Sequence, residues 1–187
     1  NPIHLKKAKK ELESEPTNTK IETVLSTPKT FSPVRNALSE SHMGICATST
    51  FRNLLKIKDM PDGFIAIDDS RPEALPRDPK KERIVLEGGL LKIPDAEINY
   101  NYGFGQDDNV FGCLGEAFLL SLEGGHILKQ TLGDIDMENF FHLLEFCRQH
   151  KVTEGDLKSS NTIIPEEDIR SAMAKRNFLK VKSSAHG

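Results

Sequence analysis

The chain has 187 residues, a formal net charge of −3 and 37% hydrophobic residues, a share below that of a typical globular domain. This length fits one small domain with an extended tail, and the net charge argues against a strongly basic nucleic-acid-binding protein. No run of 18 apolar residues is present, so no membrane contact is expected, and the first residues lack the apolar segment of a secretory signal. Three cysteines without a CxxC motif indicate reduced thiols, and we expect an intracellular protein, nuclear or cytoplasmic.

The N-terminal part of the chain has the composition of a flexible tail. Residues 3–15 predict only a marginal helix, because their Lys-rich half precedes their Glu-rich half, the unfavourable order for the helix dipole. Residues 16–43 are rich in Ser, Thr and Pro and hold too few large apolar groups to offset the entropy of ordering. Thr-Pro at Thr27 and Ser-Pro at Ser32 suit a proline-directed kinase, but such pairs are also common in plain linkers. We therefore predict a flexible tail over residues 1–43.

Residues 44–83 are predicted to form a partly ordered connecting segment. A PDG turn at 61–63 precedes the apolar run FIAI at 64–67, which predicts a strand. Three prolines follow within 68–83, and no regular element accommodates that spacing. We expect this last stretch to be a surface loop or an interdomain linker.

Residues 84–187 are predicted to form a small α+β domain. Two short apolar runs separated by a Gly-Gly pair predict a β-hairpin over 84–93, since paired glycines allow the positive φ of a tight turn. The alternating run 98–104 predicts a half-buried strand, and 126–130 predicts another short strand.

Two amphipathic helices are predicted in this domain, over 110–123 and 137–150. Their apolar residues at helical spacing are Leu114, Ala117, Phe118 and Leu122 in the first helix and Met137, Phe140, Phe141, Leu144 and Cys147 in the second. Because no other element of the domain is large enough to cover them, the two stripes are expected to face each other in the core.

The C-terminal region predicts a winged-helix-like unit over 136–182. Thr153 and Asp156 have the spacing of a capping box and predict a short helix. Pro165 followed by three acidic residues predicts the start of a third helix, and 178–182 alternates like a strand. The order helix, short helix, helix, strand is that of a winged helix.

Two cysteines are candidate nucleophiles. Cys113 lies at the start of a helix, which favours the thiolate, and His126 or His186 would have to supply the base of a cysteine hydrolase. Cys46 would pair with His126. No local signature accompanies either cysteine, so a structural role is the favoured interpretation, with Cys113 as a small buried apolar side chain. No CxxC, HxxxH or HExxH motif is present and no glycine pattern matches a phosphate loop, so we expect neither metal nor cofactor.

A basic patch is predicted near the C-terminus. Its residues are Arg170, Lys175, Arg176, Lys180 and Lys182, which are suited to contact RNA phosphates. Three acidic residues begin the same helix, so a solvated helix end or a protein contact is favoured over nucleic-acid contact.

The stretch GCLGEAFLLSLEGGHILKQTL at 112–132 resembles the N-terminal domain of the structural subunits of tRNA-splicing endonucleases. In that family an acidic-Ala-aromatic helix, here Glu116 to Phe118, is followed by a small-residue turn, a short strand and a second helix. A helix followed by a lysine-flanked strand, here Ile169 to Lys182, extends the resemblance to about 84–182. Asn177-Phe178 departs from the family's usual Gly-Trp or Gly-Tyr. The family's catalytic domain would follow this chain, so the resemblance carries over no catalytic residue.

The expected function is therefore a non-catalytic scaffold or interaction subunit of a hetero-oligomeric complex, with tRNA processing as the narrower expectation from the resemblance. Two alternatives stay open. One is a cysteine hydrolase that uses Cys113 or Cys46, and the other is a viral or effector protein-interaction module.

Overall fold

The computed structural model describes residues 2–14, 16, 19–26, 30–49, 55–101, 108–124, 127–133 and 136–176. Its helices are α1 (Pro2–Ser14), α2 (Ser32–Glu40), α3 (Gly112–Glu123), α4 (Met137–Gln149) and α5 (Glu166–Lys175). Its strands are β1 (Met43–Cys46), β2 (Ile65–Asp68), β3 (Ile84–Glu87), β4 (Leu90–Lys92), β5 (Asn109–Phe111), β6 (Thr153–Glu154), β7 (Lys158–Ser159) and β8 (Thr162–Ile163). The chain is a mixed α+β protein, as predicted.

A parallel sheet of β1, β2 and β3 forms one half of the structure, with β2 in the middle. β2 and β3 are almost entirely buried, as parallel strands are when both faces of the sheet are covered. Because side chains alternate along a strand, Ile65 and Ile84 point to one face while Ala66 and Val85 point to the other. The first face packs against Ala172 of α5.

The second face of the parallel sheet is covered partly by α2, a helix that lies within the predicted tail. Phe31 and Leu38 of this region pack against a buried cluster that includes Met60. Arg35 Nε lies 2.9 Å from a carboxylate oxygen of Asp59, which fixes the side of α2 that faces the core. In contrast, α1 has no buried residue.

An antiparallel sheet forms the other half, with β4 between β5 and β6. Ile93, Val110, Leu119 and Val152 make a buried cluster between this sheet and the helices α3 and α4. Nδ2 of Asn109 donates to a carboxylate oxygen of Asp156 at 2.9 Å, and Oδ1 of Asn109 accepts from the Asp156 backbone N–H at 2.8 Å. This reciprocal pair holds β5 against the chain that follows β6.

Several local predictions differ from the structure. β3 and β4 do not form the hairpin predicted over 84–93, because β3 pairs with β2 while β4 pairs with β5 and β6. Thr153 lies in β6 and pairs with β4, so the short helix predicted at 153–156 does not form. The predicted strands are absent from 98–101 and 127–130, the portions of 98–104 and 126–130 that the structure describes, and the predicted strand at 178–182 lies outside the described residues.

The C-terminal region instead places a hairpin, β7 with β8, between helices α4 and α5. Across the predicted boundary at residue 84, β3 pairs with β2, so the parallel sheet is built from both sides of that boundary. None of the described helices has the length and apolarity needed to cross a membrane.

Candidate functional site: an apolar face on two helices

α3 turns one side to the sheet and the opposite side to solvent. Gly115 and Leu119 are its buried residues, and Gly115 packs on the Leu91 side chain of β4, whose Cδ1 would lie 2.6 Å from an added Cβ. The helix ends at Gly124, which has a φ of 78° and is the usual residue for a left-handed C-cap. A second apolar stripe of α3, Leu114, Phe118 and Leu122, runs beside the buried one, and all three residues are exposed.

α4 begins at Asp136, whose carboxylate accepts hydrogen bonds from the backbone N–H groups of Glu138 and Asn139 at 3.0 and 3.2 Å. Asn139 is buried, and Leu143, Phe146 and Cys147 pack against the core cluster of the antiparallel sheet. The inward side of α4 therefore does not include its most apolar stripe. That stripe of four residues, Met137, Phe140, Phe141 and Leu144, is exposed.

The expectation that the two apolar stripes bury each other is wrong. Phe118, Phe140 and Phe141 leave 40%, 47% and 58% of their surface exposed. α3 and α4 do contact each other, but through their core-facing sides. Buried residues of β4, β5 and the chain before β6 already fill the space under the helices, so a second apolar side on α4 has nothing left to cover it.

We call this surface the α3–α4 face and define it by Leu114, Phe118, Leu122, Met137, Phe140, Phe141 and Leu144. Three phenylalanines, each about half exposed, alone contribute on the order of 300 Å² of apolar surface. The largest apolar patch of a typical monomer is roughly 300–600 Å² and is often functional. Of the eighteen exposed large apolar side chains in the described residues, nine lie between Leu114 and Leu144, so the exposure is concentrated and not scattered.

The segment that joins α3 to α4 is tied to both helices. Carboxylate oxygens of Glu123 accept from the backbone N–H groups of Ile127 and Leu128 at 2.7 and 3.3 Å. Asn139 accepts from the Lys129 N–H and donates to the Lys129 carbonyl, both at 2.8 Å. Because polar side chains of α3 and α4 hold the connection, the two helices present their apolar side chains on a fixed frame.

The candidate nucleophile Cys113 is exposed near the start of α3, so the expectation that it is buried is wrong. Both histidines proposed as its base, His126 and His186, lie outside the described residues. Among the described residues, no group of three or more His, Cys, Asp or Glu side chains is placed to hold a metal ion.

The second candidate nucleophile, Cys46, ends β1. Its sulfur accepts a hydrogen bond from the Ser70 hydroxyl at 3.5 Å, and the same hydroxyl also lies 3.3 Å from the Cys46 carbonyl oxygen. Burial raises the pKa of the Cys46 thiol, and the hydrogen bond from Ser70 opposes this only in part. The environment of Cys46 thus disfavours the thiolate that nucleophilic catalysis requires.

The predicted basic patch is divided among different contacts. Arg170 pairs with Glu166 one turn earlier on α5, with an Nη2 to Oε1 distance of 2.7 Å. Arg176 donates to the backbone carbonyls of Ser39 and Ser41, at the C-terminal end of α2, and so has a structural partner. Lys175 is exposed on α5, while Lys180 and Lys182 lie outside the described residues.

A buried polar cluster at the carboxyl edge of the parallel sheet has no counterpart in the sequence predictions. Asp68, fully buried at the end of β2, accepts from the backbone N–H groups of Ser70, Ala74 and Leu75 at 3.1, 2.9 and 2.9 Å. Its carboxylate organises the first half of the 69–83 connection, so that stretch packs into the core. The stretch predicted as a surface loop or linker at 68–83 has no regular element, and about half of its residues are exposed, but Ser70, Ala74, Leu75 and Asp78 are buried and anchor it.

Charged pairs surround this edge. Glu87, at the end of β3, accepts from Arg77 Nη2 at 2.6 Å and from Arg71 Nη2 at 3.2 Å. Farther along the same connection, Arg83 Nη1 lies 3.1 Å from a carboxylate oxygen of Asp78. Burial by itself would raise the pKa of the Asp78 carboxyl, but hydrogen bonds from the Lys80 N–H and from Arg83 outweigh it and lower the pKa. Asp68, Glu87 and Asp78 each have an arginine within 4.0 Å, so these ion pairs fix the loop to the end of the sheet.

Comparison with known proteins adds no family to this description: no family model matches the chain, and no characterised protein is similar to it in sequence.

Proposed function

We propose that this chain is a non-catalytic interaction subunit of a larger complex and that it binds a protein partner through the α3–α4 face. The observation that supports the proposal is the exposure of seven large apolar side chains on two adjacent helices whose polar side chains hold them in place. Leaving such a surface in water has a free-energy cost, and a partner that covers it removes that cost.

The narrower proposal of a tRNA-processing complex rests on the resemblance of residues 84–182 to the structural subunits of tRNA-splicing endonucleases. Within it, α4 and α5 would be the first and last helices of a winged-helix-like unit at 136–182, with the predicted strand at 178–182 as its wing. RNA would contact Lys175, which is exposed on α5, together with Lys180 and Lys182.

The experiment is a quantitative affinity capture from a native extract with matched variants. Phe140→Ser removes an apolar side chain that is 47% exposed on the face, and Leu157→Ser removes one that is 49% exposed elsewhere. We expect the Phe140 variant to lose most of its partners while its thermal melt stays near that of the parent, and the Leu157 variant to keep both. Equal partner recovery by the two variants would contradict the proposal.

A further inference from the structure

Acidic side chains accompany the α4 part of the α3–α4 face. Residues 112–124 and 136–149 contain five carboxylates, and Arg148 is their one Lys or Arg side chain. Three of the carboxylates, Glu116, Glu123 and Asp136, accept hydrogen bonds from backbone N–H groups, which leaves Glu138 and Glu145 on α4 to face a partner.

The charge lies directly beside the most exposed aromatic side chain. Phe141, 58% exposed, has Glu138 three residues before it and Glu145 four residues after it, so both glutamates are its neighbours on the helix surface. Arg148 approaches Glu145 at 3.4 Å, but both side chains are more than half exposed, and such a surface pair exchanges easily for another cation.

From this combination we infer that the partner docks as an amphipathic α-helix whose large apolar side chains are flanked by Lys or Arg. The inference rests on the proposed function and specifies the chemistry of the partner. Apolar anchors from the partner would cover Phe118, Phe140 and Phe141, and its flanking cations would meet Glu138 and Glu145.

The structure favours a helix over an extended peptide. The face consists of side chains from two α-helices, whose backbone groups are already hydrogen-bonded within the helices, so no free strand edge is offered there for β-augmentation. A partner segment that lies across apolar side chains must satisfy its own backbone, and a helix does so. The stretch from Leu114 to Leu122 spans about 12 Å along α3, a length that roughly two turns of helix cover.

The same charges disfavour two other classes of occupant. Anionic lipid surfaces and nucleic acids carry negative charge and are repelled by an acidic surface. The chain itself contains one segment of the required chemistry, α1, which carries four lysines and exposes Ile3 and Leu12. Occupation of the face by α1, of the same chain or of a second copy, is therefore an outcome that the experiment must distinguish.

The test uses the full chain and two fluorescein-labelled model peptides of about 18 residues, long enough for five helical turns. Both peptides carry the same Leu and Phe stripe; one is flanked by Lys and the other by Glu. Fluorescence anisotropy gives the dissociation constants at low and high salt. We expect the Lys-flanked peptide to bind roughly tenfold more tightly than the Glu-flanked one, with a preference that shrinks as salt rises.

Variants assign the binding to the face. The double change Glu138→Lys and Glu145→Lys should reverse the preference, so that the Glu-flanked peptide binds more tightly. Phe141→Ser should weaken both peptides, and Leu157→Ser should leave both unchanged.

Other outcomes overturn the inference in recognisable ways. Equal affinity for both peptides, in the parent and in the charge-reversed chain, would mean that the carboxylates do not select the partner. If the chain binds phosphatidylserine-containing vesicles and Phe141→Ser abolishes that binding, the occupant of the face is a membrane and not a helix. If the affinity for the peptides rises when residues 1–16 are deleted, the occupant of the face is α1, which competes with the peptides. If neither peptide binds but Phe140→Ser still loses its partners in the capture experiment, the proposed function survives and the helix inference fails.

Discussion

The carboxylate of Asp68 should be the most sensitive single group in the parallel half of the protein. It is fully buried and accepts three backbone hydrogen bonds from the loop that follows β2. A hydrogen bond to a charged group contributes about 1.5–3 kcal/mol, and a buried N–H without a partner has a cost of similar size. Asp68→Ala leaves three backbone N–H groups without an acceptor, so we expect the free energy of unfolding to fall by at least about 4 kcal/mol. A typical domain has a total free energy of unfolding of roughly 5–15 kcal/mol, so this loss is a large part of it.

Asp68→Asn gives a graded version of the same perturbation. Oδ2 serves two of the donors, Ala74 and Leu75, and Oδ1 serves the third, Ser70. An amide with its oxygen at the Oδ2 position keeps two bonds and turns its amino group toward the Ser70 N–H. One bond is lost, and we expect a cost of about 2 kcal/mol.

Urea denaturation followed by circular dichroism measures these costs, with Asp69→Asn as the control. Asp69 is the exposed neighbour of Asp68, so its change to Asn should stay within about 0.5 kcal/mol of the parent. The expected order of transition midpoints is Asp69→Asn, then Asp68→Asn, then Asp68→Ala. Equal midpoints for the two Asn variants would refute the assignment of Asp68 as the organiser of the loop.

Three further predictions follow from burial and charge. Leu119 is 1% exposed, so Leu119→Ala should lower the free energy of unfolding by about 2–5 kcal/mol, whereas Phe140→Ala should lower it by about 1 kcal/mol or less. Equal decreases in melting temperature would mean that Phe140 is a core residue. Iodoacetamide at pH 8 should label the exposed Cys113 faster than Cys46, because burial raises the pKa of the Cys46 thiol. If mass spectrometry finds Cys46 labelled first, Cys46 becomes a candidate nucleophile again. The lowered pKa of Asp78 means that its ionised form stabilises the fold above its ordinary value of 3.8 and that this contribution is lost as the pH falls through the folded-state pKa. The difference in melting temperature between the parent and Asp78→Asn should therefore be smaller at pH 3 than at pH 7, and an unchanged difference would count against the ion pair with Arg83.

Local sequence patterns were sufficient for the elements that depend on short-range physics. The periodicity of apolar residues predicts both α3 and α4, and an aspartate, the N-cap Asp136, directly precedes the first residue of α4. The run at 64–67 predicts β2, since aliphatic residues after a PDG turn are typical of a strand.

The buried side of α4 could not be predicted from the same pattern. Leu143, Phe146 and Cys147 form one apolar side and Met137, Phe140, Phe141 and Leu144 form another, so periodicity identifies a helix but does not select the side that packs. That selection depends on what lies under the helix, and the residues of β4 and β5 that occupy this space come from elsewhere in the chain. The candidate site was therefore placed in the core when it lies on the surface.

The parallel pairing of β2 with β3 could not be predicted from local sequence patterns, for a different reason. The Gly-Gly pair after β3 has the composition of a hairpin turn, but a Cβ at Gly88 would lie 2.9 Å from the backbone nitrogen of Asp69. At Gly88 the small residue allows the end of β3 to pass close to the chain after β2. A turn and a close approach between distant segments require the same residue type, so the sequence alone cannot separate them.

The parallel sheet also has a consequence for how the chain reaches its native state. The paired strands are about 20 residues apart along the chain at each step, and neither pairing is a hairpin. A loop of about 20 residues must close before either ladder can form, so the chain loses entropy before the ladder hydrogen bonds compensate for it. Folding of this half should therefore be rate-limited by loop closure and slower than formation of the α3–α4 pair, whose contacts are local. During that interval the aliphatic β2, destined to be buried on both faces, is exposed, and refolding yield should fall as protein concentration rises.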